Sequence, residues 1–289
     1  MLLIGAAVVI AAAALIGIFL STPEPQSFSG FAMGSVLTQS YWGAGNDEAV
    51  LGAMLMLERE LVAATEPPAL AREIFQASGG TFNPYLGALT KLWNIDGDTP
   101  YVPTQIEINE ALQKRELDLG AYGKGAACDR AQDVLISLGV KSSIINLGGN
   151  ILTHGCKPWG KPFKIALRDP KGGPNDTLGI FTLRGTNFIS TSGSYEKYFE
   201  QDGKRYHHIF DPETGYPAER DPGLISVTVI TTGEHGGAIG DAISTACFVL
   251  GHENSLDLLA KYRAAAIFIY EDGTVKYIGE VEDYFKLEQ

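Results

Sequence analysis

The sequence predicts a layered α+β domain, and three observations lead to this fold class. Strand-like segments occur both in consecutive runs and directly after helical segments, unlike the strict alternation of a doubly wound parallel sheet. An apolar content of 45% and a charged content of 19% are typical of an ordinary globular protein. From residue 28 onwards the chain has no second linker, repeat or low-complexity run, so we expect one domain over residues 28–289.

The N-terminal segment differs in kind from this domain. Residues 2–20 are an uncharged apolar run whose length approaches the thickness of a bilayer core. A signal peptide normally has a basic start and a small-x-small cleavage site, and neither is obvious here. We therefore predict an N-terminal hydrophobic helix that anchors the protein in a membrane (residues 1–21), followed by a linker (residues 22–27). A cleaved signal peptide is the alternative, and both predict an exported domain.

Helical segments are indicated by apolar periodicity and by end signals. Asp47 and Glu48 suit the first turn of one helix, a proline pair and a glycine pair bound the next, and Thr104 and Glu107 have capping-box spacing. The predicted helices lie at residues 46–64, 67–80, 104–113, 126–139, 238–250 and 255–263.

Strands are indicated by alternating or continuous apolar runs between turn residues. The predicted strands lie at residues 31–43, 116–120, 142–150, 163–169, 179–185, 187–193, 224–232, 265–271 and 275–280. The letters "QDGK" at residues 201–204 indicate a hairpin turn in addition.

Charge and cysteine usage exclude some function classes. A formal net charge of −12 argues against nucleic acid as a general partner, although phosphorylated small molecules stay possible where a bound divalent cation reverses the local field. Cys128, Cys156 and Cys247 have no CxxC spacing, which argues against a zinc site and favours core packing for the first and third.

Two glycine-rich turns are candidate ligand-binding segments. "DLGAYGKGAACD" at residues 118–129 joins a strand to a helix, where backbone amides and Lys124 could hold an anion. "INLGGN" at residues 145–150 places Gly148 and Gly149 at a strand end, where the backbone can approach a ligand closely. A plain tight turn and an ordinary bend are the alternatives.

A third segment, residues 189–217, combines hydroxyl side chains with two adjacent histidines. A normal lining for a polar ligand is offered here by hydroxyl side chains beside Gly193, those of Thr191, Ser192, Ser194 and Tyr195. The hairpin turn would bring His207 and His208 next to them. Strand alternation places these histidines on opposite faces, so we expect His208 to face the site and His207 to face away.

A fourth segment, "GDAISTA" at residues 240–246, is a candidate cation site. Asp241 and Thr245 are four residues apart on a predicted helix and therefore share a face. A carboxylate with a hydroxyl offers the hard oxygen ligands that Mg²⁺ prefers. The alternative is a helix-start aspartate with a packed threonine.

These segments, in this order, resemble the ApbE family of FAD:protein FMN transferases. The stretches that carry the resemblance are "DLGAYGKGAACDRA", "INLGGNI", "ISTSGSYEKYFEQDGKRYHHIFDPETGYP" and "SVTVITT…GDAISTACFVLG". The resemblance implies a single T-fold-like domain with FAD as substrate and Mg²⁺ as cofactor. It identifies His208 and Asp211 with the active-site His-x-x-Asp-Pro motif, and Asp241 and Thr245 with the Mg²⁺ ligands.

The resemblance also implies roles for backbone groups near the N-terminal half of the site. A carbonyl near Ala121 would complete the Mg²⁺ ligands, and Met33, Gly34 and Ser35 would form the first flavin-contacting turn. Two departures weaken the expectation of FAD binding. A Ser-rich loop after the first helix is missing, and the family's Phe-Asp-Pro-Thr is replaced by "FNPY" at residues 82–85.

The implied reaction transfers FMN from FAD to a Thr or Ser hydroxyl of an acceptor redox protein and releases AMP. His208 would be the base, and Asp211 would orient its imidazole or the turn that follows. The alternatives are Mg²⁺-dependent hydrolysis of FAD to FMN and AMP, and a flavin-binding protein without turnover. The family's usual acceptors imply a domain on the non-cytoplasmic face of a bacterial inner membrane.

Overall fold

The structure, a computed structural model, describes residues 23–173 and 175–288 of the 289-residue chain. Its strands, in chain order, are β1 (Gln26–Ala32), β2 (Ser35–Tyr41), β3 (Ser142–Leu147), β4 (Asn150–Gly155), β5 (Phe163–Arg168), β6 (Thr177–Leu183), β7 (Asn187–Gly193), β8 (Tyr198–Gln201), β9 (Lys204–His207), β10 (Leu224–Thr231), β11 (Ala265–Tyr270), β12 (Val275–Ile278) and β13 (Phe285–Leu287).

The α-helices alternate with runs of these strands. They are α1 (Asp47–Val62), α2 (Ala69–Ala77), α3 (Gly87–Trp93), α4 (Gln105–Gln113), α5 (Gly120–Ser137), α6 (Gly236–Leu250) and α7 (Leu256–Lys261). Short 3₁₀ turns at Pro158–Gly160 and Glu253–Ser255 complete the regular structure of the described residues.

An eight-stranded antiparallel sheet forms the middle layer, in the order β1-β2-β3-β4-β7-β10-β11-β12. Helices α5 and α6 cover one face, and their shared core includes Ala127, Leu147, Phe188, Val229 and Ile243. A small sheet of β13, β6 and β5 covers the other face. The core on that side includes Ile165, Phe181, Ile230, Ile267 and Phe285.

A third apolar cluster lies beside this sandwich and holds α3, α4 and the β8–β9 hairpin together. Trp93 is its centre, fully buried, with the rings of Phe199, Tyr206, Phe210 and Tyr216 around it at centroid distances of 5.6–6.4 Å. The cluster therefore fixes the segment that follows His208 against the N-terminal half of the domain.

The observed elements confirm a mixed α/β layered fold, with differences at several boundaries. The strand predicted over residues 31–43 is a hairpin, because Met33 and Gly34 turn the chain with φ values of 52° and 66°. Strand β1 begins at Gln26, two residues inside the segment predicted as linker and two before the predicted start of the domain. The "ELDLG" segment forms a single bridge, Leu86 to Glu116, rather than a strand.

Two helices differ from the sequence expectation. Helix α5 begins at Gly120, six residues before the predicted start. The glycine-rich segment that was predicted as a turn therefore forms the first turns of this helix. Helix α3 was not predicted, since its seven residues are too few to show a period.

The hydrophobic helix predicted at residues 2–20 lies outside the described residues. Within the described ranges, no helix combines the length and the hydropathy that crossing a bilayer requires.

Candidate active site

Asp241 lies where the backbones of α5 and α6 touch. A Cβ atom at Gly125 would lie 2.0 Å from the carbonyl oxygen of Gly237, so only glycine allows this approach. Asp241 is 5% exposed. Its Oδ2 accepts from the Gly125 N–H at 2.9 Å, and its Oδ1 accepts from Nδ2 of Asn150 at 3.2 Å. The carboxylate is thus buried with neutral donors.

The start of α6 is fixed by a second carboxylate. Asp129 of α5 accepts from the backbone N–H groups of Gly237 and Ala238, each at 2.8 Å. These bonds satisfy two of the free donors of the helix N-terminus. Burial raises the pKa of Asp129 to about 6, although the same two bonds act in the opposite direction. Helices α5 and α6 are therefore connected on both sides of the Gly125 contact.

The predicted hydroxyl segment forms strand β7, and it divides between the two faces of the sheet. Ser192 faces α6, where its Oγ lies 3.1 Å from Oγ1 of Thr245 and 2.9 Å from Oγ of Ser244. Thr191 faces the other way, with its Oγ1 2.9 Å from Oγ1 of Thr228. The structure brings Ser192 and Thr245 together but leaves Thr191 apart from them.

Gly193 and Tyr195 continue this segment away from α6. A Cβ atom at Gly193 would lie 2.4 Å from the Tyr195 ring, so the glycine gives that ring its place. The Arg168 guanidinium of β5 lies 5.3 Å from the centre of the ring. Tyr195 therefore packs towards the small sheet, and burial raises the pKa of its hydroxyl.

The β1–β2 turn meets the two glycine-rich segments at one place. A Cβ atom at Gly123 would lie 2.7 Å from Cε of Met33. One at Gly148 would lie 2.5 Å from Oγ of Ser35 and 3.5 Å from Cδ of Lys124. Residues from three distant parts of the sequence thus share one small area, which contains exposed backbone and one lysine ammonium.

Gly149 and the Lys124 ammonium belong to the same area as Ser35 and Gly148. The N–H of Gly149, at a φ of 90°, donates to Oδ1 of Asn146 at 3.0 Å. The Lys124 ammonium donates to the Gly120 carbonyl at 3.4 Å, within the first turn of its own helix. Lys124 forms no ion pair with a carboxylate in the described part of the chain, which leaves its charge available for an anion.

His208 follows β9 directly and is half-buried. Its Nδ1 lies 3.3 Å from the carbonyl oxygen of Lys197. A carbonyl only accepts, so Nδ1 carries the proton and Nε2 is left as the acceptor. Burial, with the nearby Lys197 charge as a further cause, lowers the pKa of His208 to about 4. The imidazole is therefore neutral at physiological pH.

His207 lies on the opposite side of the strand, in the core. It is 6% exposed, packs edge-on against Phe248 at 5.5 Å, and accepts from the Ile209 N–H at 3.3 Å. Burial, and next the charge of the neighbouring His208, lowers its pKa to about 4. His207 is fully occupied with packing, and His208 is the one that presents a free ring nitrogen.

Asp211 fixes the turn that follows His208. The carboxylate accepts hydrogen bonds from Nε and Nη2 of Arg220 and from the Glu213 N–H. The distance is 2.7 Å from Nη2 of Arg220 and 2.9 Å from the Glu213 nitrogen. Burial alone would raise the pKa of Asp211, but the Arg220 bonds and charge keep it below its usual value. Its hydrogen bonds, as far as the described residues go, include none to His208. The geometry thus favours the turn over the imidazole as what Asp211 orients.

The turn is also held from the N-terminal half. Nε1 of Trp93 donates to the carbonyl of Gly215 at 2.9 Å, and a Cβ atom at Gly215 would lie 2.4 Å from the Ile108 side chain. The "FNPY" segment lies nearby, where the Pro84 carbonyl accepts from the Asp118 N–H at 2.9 Å. Tyr85 itself packs under the Arg115 guanidinium at 4.1 Å.

Sequence reasoning missed four of these residues. Asn150 and Asp129 stand inside the quoted motifs, but only the structure shows that each one binds α6. Arg220 and Trp93 lie outside the segments selected for chemistry. A buried tryptophan in a polar context is a signal for a hydrogen-bonded anchor, but nothing in the sequence pairs Arg220 with Asp211.

The donor groups around Asp241 fit a Mg²⁺ ion. Among the described residues this buried carboxylate has only neutral partners, and Oδ1 of Asn150 beside it is buried and finds no partner there. Ala121, whose carbonyl is a predicted ligand, has non-helical backbone angles (φ −88°, ψ 16°) at the start of α5. No cluster of three or more His, Cys, Asp or Glu in the described ranges could hold a metal. One carboxylate with neutral oxygens suits Mg²⁺ rather than zinc.

Comparisons with known proteins show what the chain is similar to. The sequence model of the ApbE family matches residues 63–268. A FAD:protein FMN transferase of Treponema pallidum is 33% identical over 286 residues, covering 83% of this chain and 76% of that protein. One from Klebsiella pneumoniae is 36% identical over 222 residues, 66% of each chain. The chain spans 42% of a similar protein from Rhodobacter capsulatus.

Solved structures show the same fold. The ApbE protein of Thermotoga maritima superposes with a TM-score of 0.77 at 26% identity, over 90% of this chain and 99% of that one. The flavinyl transferase ApbE of Pseudomonas stutzeri, in its apo form, gives a TM-score of 0.70 at 28% identity, over 92% and 98% of the two chains. The match to the family model and the identity to these relatives show that the chain belongs to the ApbE family.

Proposed function

We propose that this protein transfers FMN from FAD to a Thr or Ser hydroxyl of an acceptor protein and that the transfer depends on Mg²⁺. One observation carries the proposal. A buried carboxylate, Asp241, has only neutral hydrogen-bond partners in the described part of the chain and lies on the helix that also bears Thr245. A buried charge of this kind is costly unless a cation compensates it. The names of the relatives support the flavin transfer itself.

The cation would be held by the Asp241 carboxylate, the Thr245 hydroxyl and the Ala121 carbonyl. When bound, Mg²⁺ neutralises charge that develops on the phosphate oxygens during phosphoryl transfer. Ser192 contributes by orienting Thr245, since the two hydroxyl oxygens lie 3.1 Å apart.

The flavin nucleotide would enter where the β1–β2 turn meets the glycine-rich segments. Ser35, Gly148 and Lys124 are in contact there. The ammonium of Lys124 would bind a pyrophosphate oxygen, and the open backbone at Gly148 would allow the ligand to approach closely. Met33 and Gly34 would contact the flavin on the same side.

His208 would act as the general base. Its neutral imidazole takes the proton of the acceptor hydroxyl on Nε2 while the hydroxyl oxygen attacks the phosphorus of the FMN half of FAD. The bond from that phosphorus to the bridging oxygen breaks, and AMP leaves with that oxygen. Asp211, held by Arg220, keeps the turn after His208 in place.

We also propose that the protein acts at a membrane on the non-cytoplasmic side. The support is the apolar run of residues 2–20 in the sequence. Its role would be to hold the domain close to exported or membrane-bound acceptor redox proteins, with no catalytic group supplied by the segment itself.

The test is incubation of the protein with FAD, Mg²⁺ and an acceptor domain that carries a flavinylation threonine. The expected result is a covalent FMN adduct on the acceptor, seen by intact-mass measurement, with one AMP released per adduct. Free FMN and AMP with an unmodified acceptor would make the protein an FAD hydrolase. Unchanged FAD would make it a flavin-binding protein, and either result overturns the proposal.

A further inference from the structure

The side-chain amide of Asn150 uses its nitrogen in a hydrogen bond, whereas its oxygen has no partner among the described residues. Its Nδ2 donates to Oδ1 of Asp241 at 3.2 Å. Its Oδ1 is buried and accepts no hydrogen bond from any described residue, and Asn150 as a whole is 2% exposed. A buried acceptor without a partner costs free energy on the order of 1–3 kcal/mol, so a residue in this state calls for a ligand or a water molecule.

The backbone fixes Asn150 in this position. It is the first residue of β4, directly after Gly148 and Gly149, and it pairs with Leu147 across the tight β3–β4 turn. Its own carbonyl receives the Cys128 thiol of α5 at 4.0 Å. These contacts hold the backbone of Asn150, and the hydrogen bond from Nδ2 to Asp241 holds its amide beside that carboxylate.

The amide oxygen and the amide nitrogen are bonded to the same carbon, so the free acceptor lies beside the same carboxylate. Mg²⁺ in proteins commonly retains several of its water molecules, and these donate hydrogen bonds strongly. The neutral amide also leaves the local charge at one carboxylate, whereas an aspartate at this position would add a second.

We propose that Asn150 is a positioning residue of the cation site. Its amide nitrogen restrains Oδ1 of Asp241, and its amide oxygen accepts from a water molecule carried by the cation. This inference rests on the proposed function, because it concerns the cation that the transfer requires. Residues next to metal ligands typically change metal affinity by about 10- to 100-fold when they are removed.

The test measures cation binding to the full chain without FAD or acceptor, by titration with Mn²⁺ and detection of the free ion by electron paramagnetic resonance. The wild-type protein is expected to bind one Mn²⁺, and Asp241→Asn to bind none. Asn150→Ala is expected to weaken binding about 10- to 100-fold. Asn150→Asp, which replaces the donor by a second carboxylate, is expected to bind Mn²⁺ at least as tightly as the wild type and to be less stable without it.

A matched control separates positioning from general packing. Asn187 of β7 is also buried, and its Nδ2 donates to Oγ1 of Thr153 at 3.1 Å and to the Arg184 carbonyl at 3.0 Å. Asn187→Ala should lower the melting temperature while leaving Mn²⁺ affinity unchanged. Equal Mn²⁺ affinities for Asn150→Ala and the wild type would overturn the proposal, and so would a wild-type protein that binds no Mn²⁺ alone. Because no FAD is present, failure of the transfer reaction would leave this test unaffected.

Discussion

The two faces of the eight-stranded sheet differ in chemistry, although the same strands build both. On the α5–α6 side, β7 presents Ser190 and Ser192, and a Cβ atom at Gly240 would lie 3.1 Å from Oγ of Ser190. On the other side the same strand presents Ile189, which packs in the core of the small sheet with residues such as Phe181. At the site, small residues of β7 let the backbone of α6 approach, whereas Ile189 helps to fill the second face.

The candidate site and the small-sheet core therefore lie on separate faces, although the larger apolar core also lies on the α5–α6 side. At the site, the first face has polar groups held by specific contacts, such as Ser192 with Thr245. The second face buries aromatic and branched side chains, whose contribution grows with the area removed from water. Substitutions on the two faces should therefore have effects of different kinds, and the following predictions test this, in order of their expected effect on the transfer rate.

Asp241→Ala should have the largest effect. It removes the one charged group of the cation site, and a metal ion contributes several kcal/mol to such a step, so the rate should fall by at least about a thousandfold. The measurement is FMN incorporation into the acceptor at a fixed Mg²⁺ concentration. Asp221→Asn is the control, because that carboxylate also binds neutral donors, the His252 N–H and the Tyr270 hydroxyl, yet lies outside the site. Near wild-type rates for Asp241→Ala would remove this cation site.

His208→Ala should lower the rate by about a hundredfold, the usual effect of losing a general base, while FAD still binds. His207→Asn should have a much smaller effect on the rate, since His207 lies in the core, where it packs against Phe248 and accepts from the Ile209 N–H. Single-turnover transfer and FAD fluorescence titration measure the two quantities. Equal losses for the two variants would show that the strand faces are assigned the wrong way round.

The pH dependence should distinguish free and loaded enzyme. His208 must be neutral to accept a proton, so the rate is lost as pH falls through its pKa, which is about 4 in the free protein. The pyrophosphate would add negative charge near the imidazole, which favours its protonated form, so the pKa of His208 should be higher in the complex. The acid limb of kcat should therefore lie at higher pH than that of kcat/KM. Coincident limbs would show that the pyrophosphate does not reach His208.

Phe181→Ala should have the smallest effect on the rate. Phe181 is fully buried in the small-sheet core, and truncation of such a ring costs about 3–5 kcal/mol of the free energy of unfolding. Urea denaturation should show this loss, while kcat per folded molecule stays at the wild-type value. A large fall in kcat at full folding would mean that the two faces are coupled.

The sequence predicted the layered fold because its long elements have clear periods. Short elements could not be predicted, as the seven residues of α3 show. The turn at Met33–Gly34 could not be predicted either, since the sequence around it has the pattern of one continuous strand. The segments of the candidate site were also predictable, because glycines, hydroxyls and charged residues interrupt the packing patterns there.

The pairings inside the site could not be predicted in the same way. Asp211 carries no sign in the sequence that its partner is Arg220, nine residues further on. Nor does the alternation of hydroxyls in β7 tell which of them meets α6. Both depend on where two elements cross, and that follows from the packing of the whole sheet.

The contact between Gly125 and Gly237 has a consequence for how such a protein can diverge. Two backbones that touch leave no adjustable side chain between them, so the distance from α5 to Asp241 is independent of what the outer surfaces of the helices carry. Exposed positions of α5 can therefore change without moving Asp241, whereas α6 is buried along nearly all of its length. Any residue with a side chain at either glycine would separate the helices, so lineages can reach new partners only along paths that keep both.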